Sequence, residues 1–289
     1  MKQITVISGK GGTGKTTLAS SFIKLAKGQV AVDCDVDAAN LYILLDPYKK
    51  ITEKFIGSSK AEVIGNCINC GKCEELCRFD AISNSLTDIK IDKLKCESCG
   101  VCEYICPTEA IKLKPEDQGE FYISETAMGP FIHARLNPGA ENSGLLVTKI
   151  RNIAEDIAYR ENKNLIIIDG APGIGCAVIA SLNGADYAII VTEPTLSGIS
   201  DFKKIFEVTK FFNIKSFVCI NKFDINLNNT DELEKFCSEN NAEVIGKIPY
   251  DEKVPENLSN KKIIVDDMSS EAGKEIKRIW EKLEGYLLT

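Results

Sequence analysis

The sequence predicts an α/β protein with a doubly wound, mostly parallel sheet, into which a small α+β domain is inserted. Short apolar runs alternate with segments of helical spacing along most of the 289 residues, which is typical of parallel strands joined by helices. A glycine-rich stretch, SGKGGTGKTT, directly follows the first apolar run. Between residues 61 and 117 the alternation stops, and eight of the twelve cysteines form two clusters.

Each element of the larger domain follows from these runs. The insertion divides the chain into a larger domain of residues 1–60 and 118–289 and a smaller one of residues 61–117. Strands are expected at 2–8, 29–33, 164–173, 186–194, 216–224 and 242–250, and helices at 16–27, 144–160, 198–212, 230–240 and 269–287.

Composition narrows the possible functions. The chain is 44% hydrophobic and 27% charged, which favours a folded core over disorder. Its net charge of −7 argues against nucleic acid as a main partner, because phosphate neutralisation needs clustered Lys and Arg. We find no signal peptide and no apolar run near the roughly 18 residues of a membrane span. We therefore expect a cytoplasmic protein without stable membrane insertion.

The glycine-rich stretch fits G-x-x-x-x-G-K-[ST] over residues 9–16 and predicts a P-loop nucleotide site. In such a loop, backbone N–H groups converge on phosphate oxygens at the start of a helix. Lys15 is expected to reach the β- and γ-phosphates of ATP, and the Thr16 hydroxyl to bind Mg²⁺. The expected phosphate contacts are Gly9, Lys10, Gly11, Gly12, Thr13, Gly14, Lys15, Thr16 and Thr17.

A second lysine, Lys10, lies inside this loop, and an ordinary phosphate loop does not need it. With it, the sequence resembles the deviant Walker A family, which includes MinD, ParA, the nitrogenase iron protein and the Mrp/Nbp-type iron–sulfur carriers. The resemblance implies slow, partner-stimulated, Mg-dependent ATP hydrolysis by an ATP-dependent dimer, either a homodimer or a heterodimer with a related ATPase. It also implies that Lys10 reaches the partner's nucleotide; the alternative is a solvated surface lysine.

Two further segments look like the switch regions of that family. VDCDVDAANL (32–41) resembles switch I, which implies that Asp35 orients the attacking water and that Asp33 supports Mg²⁺. IIIDGAPG (166–173) resembles Walker B with switch II. There the resemblance implies that Asp169 holds Mg²⁺ through water and that the Gly173 N–H senses the γ-phosphate. The catalytic residues so implied are Lys10, Lys15, Asp35 and Asp169.

The base of the nucleotide has two implied contacts near the C-terminus. NKFD (221–224) matches the adenine-contact segment of the family, with Asn221 as the reader of the base and Lys222 beside it. IPYD (248–251) matches the next segment, with backbone near Pro249 lying over the base.

The cysteine clusters form an internal repeat, because C-x2-C-x2-C-x3-C begins at Cys67 and again at Cys96, 29 positions later. This spacing is the bacterial ferredoxin signature, in which the fourth Cys of each run binds the other cluster. The expected ligands are Cys67, Cys70, Cys73 and Cys106 for one [4Fe–4S] cluster, and Cys77, Cys96, Cys99 and Cys102 for the second. Zinc or a metal-free scaffold are the alternatives.

Three smaller features leave alternatives open. Cys176 has the offset from Asp169 of a cluster ligand in the nitrogenase iron protein, but residues 130–145 contain no second Cys. We therefore expect a small buried residue, with a transient ligand at a dimer interface as the alternative. His133, the single His, is expected to be a satisfied structural residue instead of a catalytic group or ligand. The helix at 269–287 is expected to pack on the sheet, because its polar face is mixed in charge rather than basic.

Together these features predict an ATP-hydrolysing iron–sulfur protein. Its nucleotide-switched dimer would serve electron transfer to a redox partner, or the assembly of a metal or iron–sulfur cofactor on a partner protein. The alternative is a positioning ATPase like MinD or ParA, whose clusters only stabilise an interaction module.

Overall fold

The structure, a computed structural model, describes residues 1–85, 88–140 and 143–287, with the backbone alone at position 49. The chain forms two compact units. Unit 1 comprises Met1–Glu53, Phe121–Arg135 and Ser143–Thr289, and unit 2 comprises Lys54–Glu120 and Leu136–Asn142. The insertion expected at 61–117 lies within the first segment of unit 2.

The strands of the large sheet are β1 (Lys2–Ser8), β2 (Gln29–Asp33), β3 (Lys49–Val63), β6 (Ile111–Thr126), β7 (Gly129–Leu136), β8 (Leu165–Pro172), β9 (Tyr187–Thr192), β10 (Lys215–Asn221) and β11 (Glu243–Ile248). Within the described residues their order is β11-β10-β9-β1-β8-β2-β7-β6-β3. The pairings from β11 through β7 are all parallel. The predicted mostly parallel sheet is therefore confirmed.

The helices are α1 (Lys15–Leu25), α2 (Leu41–Leu45), α3 (Lys72–Glu75), α4 (Val101–Ile105), α5 (Ser143–Arg160), α6 (Cys176–Leu182), α7 (Leu196–Phe211), α8 (Leu227–Glu239), α9 (Lys253–Ser259) and α10 (Glu271–Leu287), with short 3-10 turns at Phe223–Ile225 and Ile264–Asp266. The predicted helices and strands of the larger domain are confirmed to within a few residues. Among the described residues, no helix is both long and apolar enough to cross a bilayer.

The core of unit 1 is large and apolar. Buried side chains of β1, β8, β9 and β10 meet those of α1 and α10, including Phe22, Phe217 and Trp280. The rings of Phe22 and Trp280 lie 5.2 Å apart. In α10 the apolar side chains Ile276, Ile279 and Leu283 are buried. The expectation that this helix packs on the sheet is confirmed.

Three strands of the large sheet were not predicted. β6 and β7 are joined by two residues and therefore form an antiparallel hairpin, and β3 lies beside β6 at the edge. β7 is mostly buried, but β3 and β6 mix charged and apolar residues because only part of each strand is buried. Such strands lack the apolar runs that reveal buried parallel strands.

Unit 2 keeps the sequence repeat in its backbone. Gly71 and Gly100 precede α3 and α4 with φ of 75° and 77°, a left-handed conformation that favours glycine. Two other pairs spaced by 29 positions also have positive φ: Asn69 with Ser98, and Asp80 with Glu109. The unit also contains a hairpin of β4 (Ile82–Asn84) and β5 (Ile89–Ile91). The two halves thus share their turn geometry as well as their cysteine spacing.

Candidate nucleotide site and cysteine clusters

The phosphate loop connects β1 to α1 and needs its glycines for two reasons. Gly12 and Gly14 have φ of 80° and 93°, which other residues rarely adopt. A Cβ on Gly9 would lie 2.3 Å from the backbone oxygen of Asp201, and one on Gly14 would lie 2.3 Å from the Asn221 amide. A larger residue at either position would therefore push the loop away from its supports.

A cavity of about 410 Å³ opens in front of this loop. Its lining combines the loop and the start of α1 with the segment after β2: Ser8, Gly11, Gly12, Gly14, Lys15, Thr16, Thr17, Asp35, Asn40, Ile43, Leu44, Pro172 and Leu258. A second cavity of about 240 Å³ shares Gly12, Gly14, Thr17 and Leu258 with it. The two together leave room for a phosphate chain and an attached base.

Two buried carboxylates stand behind the loop on neighbouring strands. Asp33 ends β2 and Asp169 lies on β8, with their Cα atoms in register. The Nζ atom of Lys15 lies 2.5 Å from Oδ1 of Asp169, whereas the buried Oδ2 of Asp169 has no hydrogen-bond partner in the described structure. Burial, and then the charge of Asp169, raises the pKa of Asp33 to about 7. Crowded carboxylate oxygens of this kind suit a hard cation such as Mg²⁺.

The segment after β2 is shaped by the same carboxylates. Asp33 accepts hydrogen bonds from the backbone N–H of Asp35 at 3.0 Å and of Leu41 at 3.1 Å. Asp35 in turn accepts one from the backbone N–H of Ala38 at 3.3 Å. Asp35 lines the phosphate cavity, whereas Asp33 is fully buried. Of the two, Asp35 therefore has direct access to a nucleotide.

The backbone N–H of Gly173 and the side-chain amide of Asn221 both donate hydrogen bonds within the protein. The Gly173 N–H donates to the Ser8 carbonyl at 2.9 Å, so a γ-phosphate would have to replace that bond. The Asn221 amide donates to the Thr13 carbonyl at 2.8 Å and therefore braces the phosphate loop. Asn221 and Lys222 line the smaller cavity, whose wall near Pro249 is made by Ile248 and Tyr250.

Lys10 is held within its own chain. Its Nζ lies 2.7 Å from the Glu193 carboxylate and donates to the Ser197 hydroxyl at 3.0 Å. Lys222 approaches the other oxygen of Glu193 at 3.3 Å. Burial opposes ionisation of Glu193, but these two lysines lower its pKa. Sequence reasoning missed Glu193; its position directly after β9, at the carboxyl edge of the sheet, was the available signal.

Unit 2 gathers its cysteines around two cavities. One is lined by Cys67, Cys70, Cys73 and Cys106. The other is lined by Cys77, Cys96, Cys99 and Cys102, with Cys73 between the two. Each cavity thus brings together one of the two sets of four that the sequence pattern groups, including the exchange of the fourth cysteine between runs.

Backbone N–H groups point at some of these sulfurs. The N–H of Asn69 donates to Cys67 Sγ at 3.3 Å, and that of Ala110 donates to Cys106 Sγ at 3.2 Å. Among the described residues, no three His, Cys, Asp or Glu side chains converge on a point where one metal ion could bind.

The expectations for Cys176 and His133 need correction. Cys176 is exposed at the first residue of α6, so the expectation of a small buried residue is wrong; it follows a glycine-rich turn that lifts it to the surface. His133 is buried, as a structural residue would be, yet its Nε2 has no hydrogen-bond partner in the described structure. Aromatic stacking, instead of hydrogen bonding, holds this ring.

Known proteins share both the sequence and the fold. A family model of the CobQ/CobB/MinD/ParA nucleotide binding domain matches residues 4–264. An uncharacterized protein of Methanocaldococcus jannaschii is 37% identical over 289 residues, covering 99% of this chain and 97% of the relative. An iron–sulfur cluster carrier protein of the same organism is 34% identical over 154 residues, or 47% of this chain and 52% of the carrier.

Solved structures agree with the family match at the level of the fold. MinD of Pyrococcus horikoshii OT3, complexed with Mg-ADP, superposes with a TM-score of 0.60 at 16% identity, covering 99% of this chain and 96% of MinD. The chain belongs to the CobQ/CobB/MinD/ParA nucleotide-binding family and carries the P-loop ATPase domain of that family.

Proposed function

We propose that the protein is an ATP-hydrolysing iron–sulfur protein whose nucleotide-switched dimer serves redox chemistry or metal-cofactor assembly on a partner. One observation carries the proposal: a chain with this ATPase domain also has two cavities that are lined between them by all eight cysteines of a ferredoxin-type pattern. The iron–sulfur carrier among its relatives supports the same interpretation.

The cysteine pattern suits [4Fe–4S] clusters better than zinc. Four ligands of a zinc ion converge on one point in a tetrahedron, whereas the four ligands of a cubane bind four separate irons. Among the described residues, no three His, Cys, Asp or Glu side chains converge on one point as zinc ligands do. N–H groups directed at Cys67 and Cys106 suit thiolate sulfurs, because hydrogen bonds to the sulfurs tune such clusters. When bound, the clusters would supply one-electron transfer.

Nucleotide binding would rearrange the buried charges of unit 1. Lys15 is paired with Asp169 here; an incoming phosphate would draw Lys15 away and leave Asp169 to Mg²⁺ beside Thr16. Asp35 would orient the attacking water, since it lines the same cavity. The Gly173 N–H would exchange the Ser8 carbonyl for a phosphate oxygen. These exchanges make the segments around Asp35 and Gly173 responsive to ATP.

Lys10 would complete the site of a partner subunit. To do so its ammonium must leave Glu193 and the Ser197 hydroxyl. The pair is only partly exposed, with 27% of the Lys10 side chain and 12% of the Glu193 side chain accessible. Glu193 therefore competes with the partner's phosphates for Lys10, and dimerisation depends on the phosphate charge that nucleotide supplies.

Within this function we favour electron supply to a metal centre that the ATPase cycle delivers or releases. Eight cysteines that supply four ligands to each of two clusters are suited to hold those clusters in place, and not to donate them. A cluster shared between subunits would need a second cysteine beside Cys176, and residues 130–145 provide none.

Metal analysis of protein reconstituted anaerobically with iron and sulfide, and of protein purified anaerobically, tests this proposal. We expect about eight irons and eight sulfides per chain, the content of two four-iron clusters, together with an ATPase activity that Lys15→Ala abolishes. One or two zinc ions per chain without sulfide would overturn the iron–sulfur part. Unchanged ATPase activity in Lys15→Ala would overturn the nucleotide part.

The similarity of the fold to MinD favours a second candidate, a positioning ATPase. The apolar side of α10 is buried against the core, so this helix does not present the exposed apolar face with which an interfacial helix binds lipid. Co-sedimentation with anionic vesicles or with DNA, with and without ATP, separates the two candidates. ATP-dependent pelleting that is indifferent to cluster oxidation state would favour the positioning role.

A further inference from the structure

Unit 1 has another cavity of about 410 Å³, on the other side of α2 from the phosphate loop. Its lining includes Asp37, Tyr42, Lys50, Tyr122, His133 and Arg135. Among the described residues it shares no lining residue with the phosphate cavity. Its size is within the range of small-molecule sites, and the nucleotide chemistry does not use it.

His133 forms one wall of this cavity and has an unused polar atom. The side chain is only 5% exposed, and its ring stacks on Tyr122 at 4.6 Å and on Phe131 at 4.5 Å. The buried Nε2 has no hydrogen-bond partner in the described structure. Leaving such an atom unpaired costs about 1–3 kcal/mol, so a shift of the ring that brought Nε2 to a bound polar group would recover part of that cost.

The remaining polar lining favours an anion with a flat body. Lys50 and Arg135 face a single carboxylate, Asp37, among the charged lining residues. Lys50 Nζ lies 3.5 Å from the centre of the Tyr122 ring, which holds the ammonium at the cavity. Tyr42, which is 44% exposed, provides a flat surface against which another planar group can stack, whereas the Tyr122 ring already contacts His133 and Lys50.

We propose that this cavity binds a small anion with a planar, π-bonded body, of the class of aromatic carboxylates and aryl phosphates. Its charged group meets Lys50 and Arg135, and its ring lies against Tyr42. This binding does not depend on the iron–sulfur part of the proposed function.

The cavity is placed to sense the nucleotide. The segment after β2 lines both sites: Asp37, Ala38, Ala39 and Tyr42 face the anion cavity, whereas Asp35, Asn40, Ile43 and Leu44 face the phosphate cavity. A rearrangement of this segment on nucleotide binding changes both walls. Linkage then requires that the anion and the nucleotide alter each other's affinity by the same factor. This coupling, unlike the binding itself, rests on the proposed nucleotide switch.

His133 is the only histidine of the chain, so protein with isotope-labelled histidine reports on the cavity through one imidazole NMR signal. We would titrate full-length protein, reconstituted with its clusters and saturated with Mg-ADP to fill the phosphate loop, with phenyl phosphate and benzoate. Fragments of this size are expected to bind with millimolar dissociation constants. Benzyl alcohol, which is flat but neutral, and inorganic phosphate, which is charged but not flat, are expected to bind at least about five-fold more weakly.

Substitutions identify the charges involved. Lys50→Gln and Arg135→Gln are each expected to raise the dissociation constant of phenyl phosphate by about three-fold or more, the effect of losing one partly exposed charge pair. Arg160→Gln, which removes an exposed arginine of α5 with 75% accessibility, is the matched control and should change nothing. No saturable shift below 20 mM, equal binding of benzyl alcohol, or unchanged affinity in both cavity variants would overturn the site. Equal affinity with and without Mg-ADP would overturn the coupling alone.

Discussion

The two compact units differ in what fills their interiors. Unit 1 packs a continuous set of Ile, Val, Leu, Phe and Trp side chains between its sheet and helices. A buried cluster of unit 2 contains seven side chains, and two of them, Cys73 and Cys96, belong to the cysteine runs. Small domains that bury little apolar surface usually need disulfides, metals or partners to fold.

This difference predicts two kinds of site. In unit 1 an apolar scaffold forms first and positions buried charges such as Lys15 and Asp169, which a ligand then rearranges. In unit 2 the cysteines are part of the scaffold, so that site and fold depend on the same residues. Loss of the ligand should therefore change activity in unit 1 and structure in unit 2.

The largest effect should follow from removing a single cysteine ligand. Cys99→Ser is expected to lower the iron content from about eight to about four per chain and to expose unit 2 to proteolysis. The matched control is Cys176→Ser, an exposed cysteine outside both cavities, which should keep the full iron content. Iron retention by Cys99→Ser would show that the scaffold of unit 2 does not depend on that cluster.

Lys15→Ala tests the opposite property in unit 1. Loss of the one buried ammonium at the phosphates should lower the rate of ATP hydrolysis by about 100-fold or more. Iron content and the circular dichroism spectrum should stay unchanged, since the apolar core does not involve this residue. A variant that lost its iron would contradict the separation of the two units.

Asn221 tests whether the loop brace matters to nucleotide affinity. Asn221→Ala removes the hydrogen bond to the Thr13 carbonyl, which should raise the KM for ATP by about three- to ten-fold. Asn260→Ala removes a similar amide–carbonyl bond, to Glu256 on α9, and serves as the control. A KM that rises equally in both variants would assign the effect to general loosening.

Glu193→Gln should favour the dimer modestly, because it releases Lys10 from its pairing within the chain. A partly exposed ion pair of this kind corresponds to a change of about two- to five-fold in association. Sedimentation velocity in ATP, with Glu207→Gln as a surface control, measures it. Weaker association in Glu193→Gln would mean that Glu193 supports the interface instead of opposing it.

The last prediction concerns the acid sensitivity of unit 1. Burial, and then Lys50, lowers the pKa of His133 to about 4, against about 6.5 in unfolded chains. Between these values the unfolded state binds more protons, so stability rises with pH and is lost as pH falls from about 6.5 toward 4. The loss should reach at most about 3 kcal/mol, and His133→Phe should remove it.

Urea unfolding at pH 5 and pH 7 measures this difference through the fluorescence of Trp280. It is the only tryptophan of the chain and lies in the core of unit 1, so its fluorescence reports the unfolding of unit 1 and not of unit 2. The same change between the two pH values in wild type and His133→Phe would exclude His133 as the cause.

A structural feature could be predicted from the sequence when the residues that determine it lie close together in the chain. Parallel strands such as β8 appear as apolar runs, and the cysteines that line the two cavities of unit 2 lie in two short runs, so both groupings were predictable. β3 and β6 were not, because partly exposed strands carry charges that look like loops. The pairing of Lys10 with Glu193, separated by 183 positions, leaves no pattern in the chain. The exposure of Cys176 and the unpaired Nε2 of His133 likewise depend on packing.

The central claim is that the two sites influence each other. The chain enters unit 2 at residue 54, shortly after α2, which lies beside the phosphate cavity. Anaerobic redox titration followed by EPR, without nucleotide, with Mg-ADP and with Mg-ATP, tests the claim most directly. We predict that Mg-ATP shifts a cluster potential by about 30 mV or more, a free-energy difference of roughly 0.7 kcal/mol for one electron, and that Lys15→Ala abolishes the shift. Cluster potentials that are the same without nucleotide, with Mg-ADP and with Mg-ATP in the intact protein would contradict the claim.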